Sequence, residues 1–123
     1  MRTSLQHSSI PMWTEAVSRR FINSITRDRE MIIGIMQFQL RIAESHSLKE
    51  KRMVLKSIKD RLRQRFNVSV SEIGDQDLWQ SALLGVASIG GDKRYVNGLL
   101  SDVESWLERN GHVELVSSRL ELL

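Results

Sequence analysis

The sequence predicts a small α+β domain in the order β-α-β-β-α-β, a four-stranded antiparallel sheet with two helices packed on one face. Three observations carry this. Residues 32 to 42 alternate apolar and polar with period two; two later stretches repeat apolar residues at helical spacing; and turn formers separate the segments between and around them. A chain of 123 residues is one domain's length and holds a single modest core.

From Ile32 to Ile42 the residues Met36, Phe38, Leu40 and Ile42 alternate with Gln37, Gln39 and Arg41, as in a strand buried on one face. Ser47-Leu48-Lys49-Glu50 is a capping box: the Ser47 hydroxyl accepts from the backbone three residues on, and Glu50 reaches back. Leu48, Leu55, Ile58, Leu62 and Phe66 then mark one face of a helix that Asn67 ends. Val68 to Ile73 is read as the second strand and Leu78 to Ile89 as the third, joined into an antiparallel hairpin by Gly74-Asp75-Gln76-Asp77. After Gly90-Gly91, Asp92 is a suitable N-cap. Val96, Leu99, Leu100, Val103, Trp106 and Leu107 form the second helix's apolar face, and Asn110-Gly111 stops it. His112 to Leu122 closes the sheet, and the changing parity of Val113, Leu115 and Val116 places a bulge in it. This order is the split βαβ arrangement of the ferredoxin-like fold. It leaves one sheet face without helices.

Residues 1 to 30 read as an N-terminal extension ahead of a domain spanning 31 to 123. They hold five Arg, five Ser and the one Pro. Trp13, Val17, Phe21 and Ile25 are spaced for a short amphipathic helix from about Thr14 to Arg27. Glu15, Asp28 and Glu30 argue against a transit peptide, and Met31 is read as the natural start of the patterned domain.

The composition excludes whole classes of chemistry. Without cysteine there are no disulfides, thiolate metal sites or cysteine nucleophile. His7, His46 and His112 are the imidazoles, and no two have the spacing of a helical metal site. No metal and no cofactor are expected, since the glycine pairs form neither a GxGxxG turn nor a Walker loop. No segment reaches the length of a membrane span, so the cytoplasm is the expected location and no membrane partner is expected.

The net charge is only +3, but its distribution is uneven. Between Ser47 and Phe66 lie eight basic residues, Lys49, Lys51, Arg52, Lys56, Lys59, Arg61, Arg63 and Arg65, against Glu50 and Asp60, a net of +6. The rest of the chain from Met31 sums to −5. At about 100° per residue, Lys49, Arg52, Lys56, Lys59 and Arg63 share one band beside the apolar face, over roughly 21 Å of helix. Such a stripe neutralises a polyanion through its phosphates and predicts little sequence preference. The competing reading is that these cations merely solvate an exposed face, their stems snorkelling over the core. Against it, Asp60 is the one acid near the band, whereas a merely solvated helix interleaves acids at i+4.

Glu44-Ser45-His46-Ser47 gathers a carboxylate, an imidazole and two hydroxyls. Ser47 is explained as a cap, and no motif places a second acid, so a binding module is expected rather than an enzyme. His46 is read as a loop residue that hydrogen-bonds the backbone or adds a phosphate contact near the helix N-terminus. Asp75 and Asp77 belong to turn chemistry. Trp79 is read as a packing aromatic opening the third strand, with base stacking as the alternative. The third strand carries no counterpart of the RNA recognition motif's aromatic octapeptide, so RNA contact is expected along the helix edge.

Glu44-Ser45-His46-Ser47-Leu48-Lys49-Glu50-Lys51-Arg52, with Val54-Leu55-Lys56-Ser57, Arg61-Leu62-Arg63, Arg65-Phe66-Asn67-Val68-Ser69-Val70 and Asp77-Leu78-Trp79-Gln80, resembles the YlxP-like family of small bacterial proteins of unknown function. The resemblance runs from Met31 to about Leu122; the 30-residue leader departs from it. It implies a ferredoxin-like fold and a gene setting among transcription elongation, translation initiation and ribosome maturation. It transfers no established catalytic or binding residue. The matching positions to watch are Ser45, His46, Ser47, Lys49, Lys51, Arg52 and Lys56. Together these readings lead to an RNA-binding set of Lys49, Arg52, Lys56, Lys59, Arg63, Lys51, His46 and Ser45. The expected partner is ribosomal RNA or a ribosomal subunit, in small-subunit maturation or translation, with no evident DNA specificity. The alternative is a protein-interaction module that forms a homodimer through its sheet face and docks an acidic protein on the stripe.

Overall fold

A computed structural model of the protein describes residues 31–123, and the expectations for residues 1 to 30 lie outside the described residues. The strands and helices follow in the predicted order: β1 (Ile32–Arg41), α1 (Leu48–Arg65), β2 (Ser69–Gly74), β3 (Ser81–Gly90), α2 (Lys93–Arg109) and β4 (Glu114–Leu122). The sheet order is β2-β3-β1-β4 with every neighbouring pair antiparallel. Two helices on one face of this sheet complete the ferredoxin-like α+β arrangement.

Alternation in β1 sends Met36, Phe38 and Leu40 to the helix side, where register pairs Phe38 with Leu84 and Leu40 with Ala82. Phe38, Leu40 and Leu84 are fully buried there with Leu55 and Leu62 of α1 and Val96, Leu100, Val103 and Leu107 of α2. Each such side chain removed from water contributes about 1.5–3 kcal/mol. Gly34 lets α2 approach β1: a Cβ on it would stand 2.6 Å from Val96 Cγ1 and 2.7 Å from Leu100 Cδ1.

The helix ends follow their caps. The Ser47 hydroxyl accepts from the Glu50 N–H at 3.1 Å, and Asp92 accepts from Arg94 N–H at 2.8 Å. Glu50 reaches back as expected of a capping box, but its carboxylate takes the N–H of His46 at 2.9 Å rather than that of Ser47. The bulge predicted in the last strand is present. Gln39 pairs with Ser117 while Leu40 pairs with Leu115, so Val116 is the extra residue.

Two boundaries differ from the sequence reading. The second strand runs from Ser69 to Gly74 instead of Val68 to Ile73, and carries its own bulge at Ile73. The third strand begins at Ser81 rather than Leu78. The reason is the turn: Asp75 adopts φ 60° and its carbonyl accepts the Leu78 N–H at 3.0 Å, which folds residues 75 to 78 away from the ladder. Trp79 therefore does not open β3 as a packing residue. It sits in the loop, 53% exposed.

The helix-free face is mixed. Toward the start of β1, Ile33 and Ile35 pair with Ile89 and Ala87; toward its end, Gln39 and Arg41 pair with Leu83 and Ser81. Ile35, Ile73 and Ile89 remain exposed among the described residues. No described helix is long and apolar enough to cross a membrane.

Candidate nucleic-acid interface

Helix α1 buries Lys51, Leu55, Ile58 and Leu62 against the sheet, and this row fixes where its other faces point. With 3.6 residues per turn, Lys49, Arg52, Lys56, Lys59 and Arg63 share the flank on one side of it. That flank lies over the outer edge of the sheet, because Arg63 Nη2 donates to the carbonyl of Val70 in edge strand β2 at 2.8 Å. On the opposite flank Val54, Ser57 and Arg61 line a hollow with Asn110 and His112 at the end of α2. The basic row therefore faces outward, along an unpaired strand edge that Arg63 partly caps.

The members of the row differ in what holds them. Among the described residues, Lys49, Arg52 and Lys59 stand within ion-pair distance of no carboxylate. Lys56 lies 2.9 Å from Asp60 Oδ2, one turn on, and Arg63 lies 3.6 Å from Asp60 Oδ1. The hydrogen bond from Lys56, with the charges of Lys56, Arg63 and Lys59, holds the Asp60 carboxyl below the ordinary aspartate range. The Lys56 side chain is nevertheless 78% exposed, and surface pairs of this kind are worth about 0–1 kcal/mol. Separating Lys56 from Asp60 therefore costs little. Five cations against one carboxylate leave this flank at +4.

Two residues expected in the RNA-binding set do not belong to it. Lys51 is fully buried: its ammonium lies 2.8 Å from Glu72 Oε2 and donates to the carbonyl of Asp75. It ties α1 to the end of β2 and has no surface to offer an anion. Ser45 is also buried, and its hydroxyl donates to the Ser47 carbonyl at 3.0 Å. His46 is exposed just before the N-terminus of α1, three residues ahead of Lys49. The hydroxyls of Ser45 and Ser47 both take part in this local capping structure.

The sequence reading missed that the loop after β2 is built into the same end of the molecule. Gln80 Nε2 donates to the carbonyls of Ala43 and Ser45, each at 3.1 Å, and the Ile42 N–H donates to Gln80 O at 2.9 Å. The β1–α1 loop that carries His46 is thus clamped to the β2–β3 loop that carries Trp79. No local sequence signal joins these loops, since the contacts span more than thirty residues.

The chain is 37% identical over 90 residues to a Bacillus subtilis (strain 168) protein described as uncharacterized protein YlxP, covering 73% of this chain and 98% of that one. The family model described as "Protein of unknown function (DUF503)" matches residues 33–120, from the first strand to the last. The chain belongs to this DUF503 family of YlxP-like proteins, a family of unknown function.

Proposed function

We propose that the protein is a non-enzymatic, cytoplasmic accessory factor that binds ribosomal RNA or a ribosomal subunit through the outward flank of α1. The supporting observation is the row Lys49, Arg52 and Lys59, free of carboxylate partners among the described residues and extended by the exposed Lys56 and by Arg63. Five like charges on one flank repel one another, and a polyanion relieves that repulsion while releasing its own counterions. The spacing along the helix axis, about 5–6 Å per turn, suits successive phosphates of a folded RNA backbone. The gene setting that the family resemblance implies narrows the RNA to that of the ribosome, and maturation of the small subunit or translation is the step proposed.

Reversing two free charges, Arg52→Glu with Lys59→Glu, tests this. Affinity for structured ribosomal RNA fragments falls by at least tenfold at near-physiological salt if the flank holds phosphates. Unchanged affinity refutes the reading. The exposed Ile35, Ile73 and Ile89 on the helix-free face favour a second reading, in which two copies pair through their sheets and an acidic protein occupies the stripe. A dimer in light scattering, with a partner retained after nuclease treatment, supports that alternative.

A further inference from the structure

The end of the sheet where β1 finishes carries an open cavity of about 840 Å³. The strand residues Gln39 and Ser81, with Asp75, make its floor; the loop residues Leu78 and Trp79 and the bulged Val116 make its rim. All three rim residues are more than half exposed among the described residues. The loop is not loose: the clamp through Gln80 and the Leu78 N–H bond to Asp75 hold it from both ends. Folding alone gives no reason to hold an indole out of the core on a pinned loop, since burial would contribute to stability.

The floor is prearranged in a particular sense. Gln39 Nε2 donates to Asp75 Oδ2 at 2.8 Å and to Ser81 Oγ at 2.7 Å, and the Ser81 hydroxyl donates to Asp75 Oδ2 at 2.7 Å. The donors of this trio are spent on one another and on the Ala82 carbonyl, which Gln39 Nε2 reaches at 3.3 Å. Gln39 Oε1 and Asp75 Oδ1 have no partner among the described residues, so the floor presents acceptors. The hydrogen bonds from Ser81 and Gln39, with the charge of Lys51, hold the Asp75 carboxyl below the ordinary aspartate range, so it is ionised at neutral pH.

A flat aromatic rim beside an anionic acceptor selects a planar ring with adjacent donors. Among nucleobases, guanine alone offers two neighbouring N–H groups, the ring imino and the exocyclic amino, to a pair of acceptors such as Asp75 Oδ1 and Gln39 Oε1. We propose that this cavity takes one unpaired guanine of the bound RNA, stacked on Trp79 with its donor edge on Asp75 and Gln39. Exposed Arg41 at the cavity's edge serves the neighbouring phosphate. Lys51 reaches the Asp75 carbonyl, so the turn of α1 that carries Lys49 and Arg52 is tied to the loop that lines the cavity.

This proposal rests on the RNA reading above, and its test separates the two. Fluorescence anisotropy with the full chain compares hairpins of identical stem whose loops are all uridine or contain one guanosine. The guanosine loop binds about tenfold tighter, in line with one stacked base. Trp79→Ala and Asp75→Asn each bring the two hairpins to equal affinity, while Trp79→Phe keeps a preference. Asn tolerates the positive φ at position 75, so the backbone survives that change. Arg52→Glu with Lys59→Glu weakens both hairpins in the same ratio and leaves the preference intact. Equal binding of the two loops by the unaltered chain, or a preference that survives Trp79→Ala, overturns the cavity proposal and leaves the stripe standing. Failure of the unaltered chain to bind either hairpin overturns both.

Discussion

Replacing Lys51 by Met keeps most of the side-chain volume but removes the ammonium that neutralises Glu72 and satisfies the Asp75 carbonyl. Glu72 is 17% exposed in its side chain and Lys51 not at all. Breaking one partner out of a buried ion pair costs about 3–5 kcal/mol, and the partial exposure of Glu72 moves the expectation to the lower end, about 3 kcal/mol. With a urea m-value of about 1 kcal/mol per molar for a domain of this size, the unfolding midpoint drops by roughly 3 M. Urea denaturation followed by far-UV circular dichroism reads this directly. Adding Glu72→Leu to the variant removes the orphaned carboxylate and restores much of the loss, because an apolar pair of similar volume is often neutral. A midpoint shift of only a few tenths of a molar in Lys51→Met would refute the structural role assigned here, and would return Lys51 to the RNA-binding set.

Other consequences follow from the same packing. Gly34→Ala places a methyl against two fully buried side chains, Val96 and Leu100, so overpacking lowers stability by about 1–3 kcal/mol, seen as a melting temperature several degrees lower. Asp75 and Asp60 are both held below the ordinary aspartate range; their stabilising contribution is complete above about pH 3.9 and is lost as pH falls through their lower folded values. Stability measured between pH 5 and 2 therefore falls less in Asp75→Asn than in the unaltered protein, starting from a lower plateau; parallel curves would contradict the assignment.

The fold was legible because its apolar residues keep strict periods. The alternation of Met36, Phe38 and Leu40 and the row Val96, Leu100, Val103, Leu107 identify a strand and a helix without tertiary information, and the broken parity at Val116 located a bulge. What failed were features decided by partners remote in sequence. Lys51 was expected in the RNA-binding set, although the seven-residue gap from Leu48 to Leu55 in the apolar row left the buried position it fills. Its burial depends on Glu72 and the Asp75 carbonyl, more than twenty residues away. Leu78 and Trp79 have the composition of a strand, and the positive φ of Asp75, which moves them off the ladder, has no unambiguous sequence mark beside the neighbouring Gly74. For the candidate site, the flank Lys49, Arg52, Lys56, Lys59 and Arg63 followed from helical geometry alone. The internal claims on Lys56 and Arg63 by Asp60, and on Arg63 by β2, required the folded chain.

The central claim is that the outward flank of α1 exists to neutralise phosphates, and a salt series of RNA binding measures that directly. With five cations engaged, the slope of log affinity against log salt is about −3.5 to −4.5, and removing Lys49, Arg52 and Lys59 together lowers its magnitude by about 2 to 2.7. A slope near zero, or one that the triple alanine variant leaves unchanged, would contradict the account.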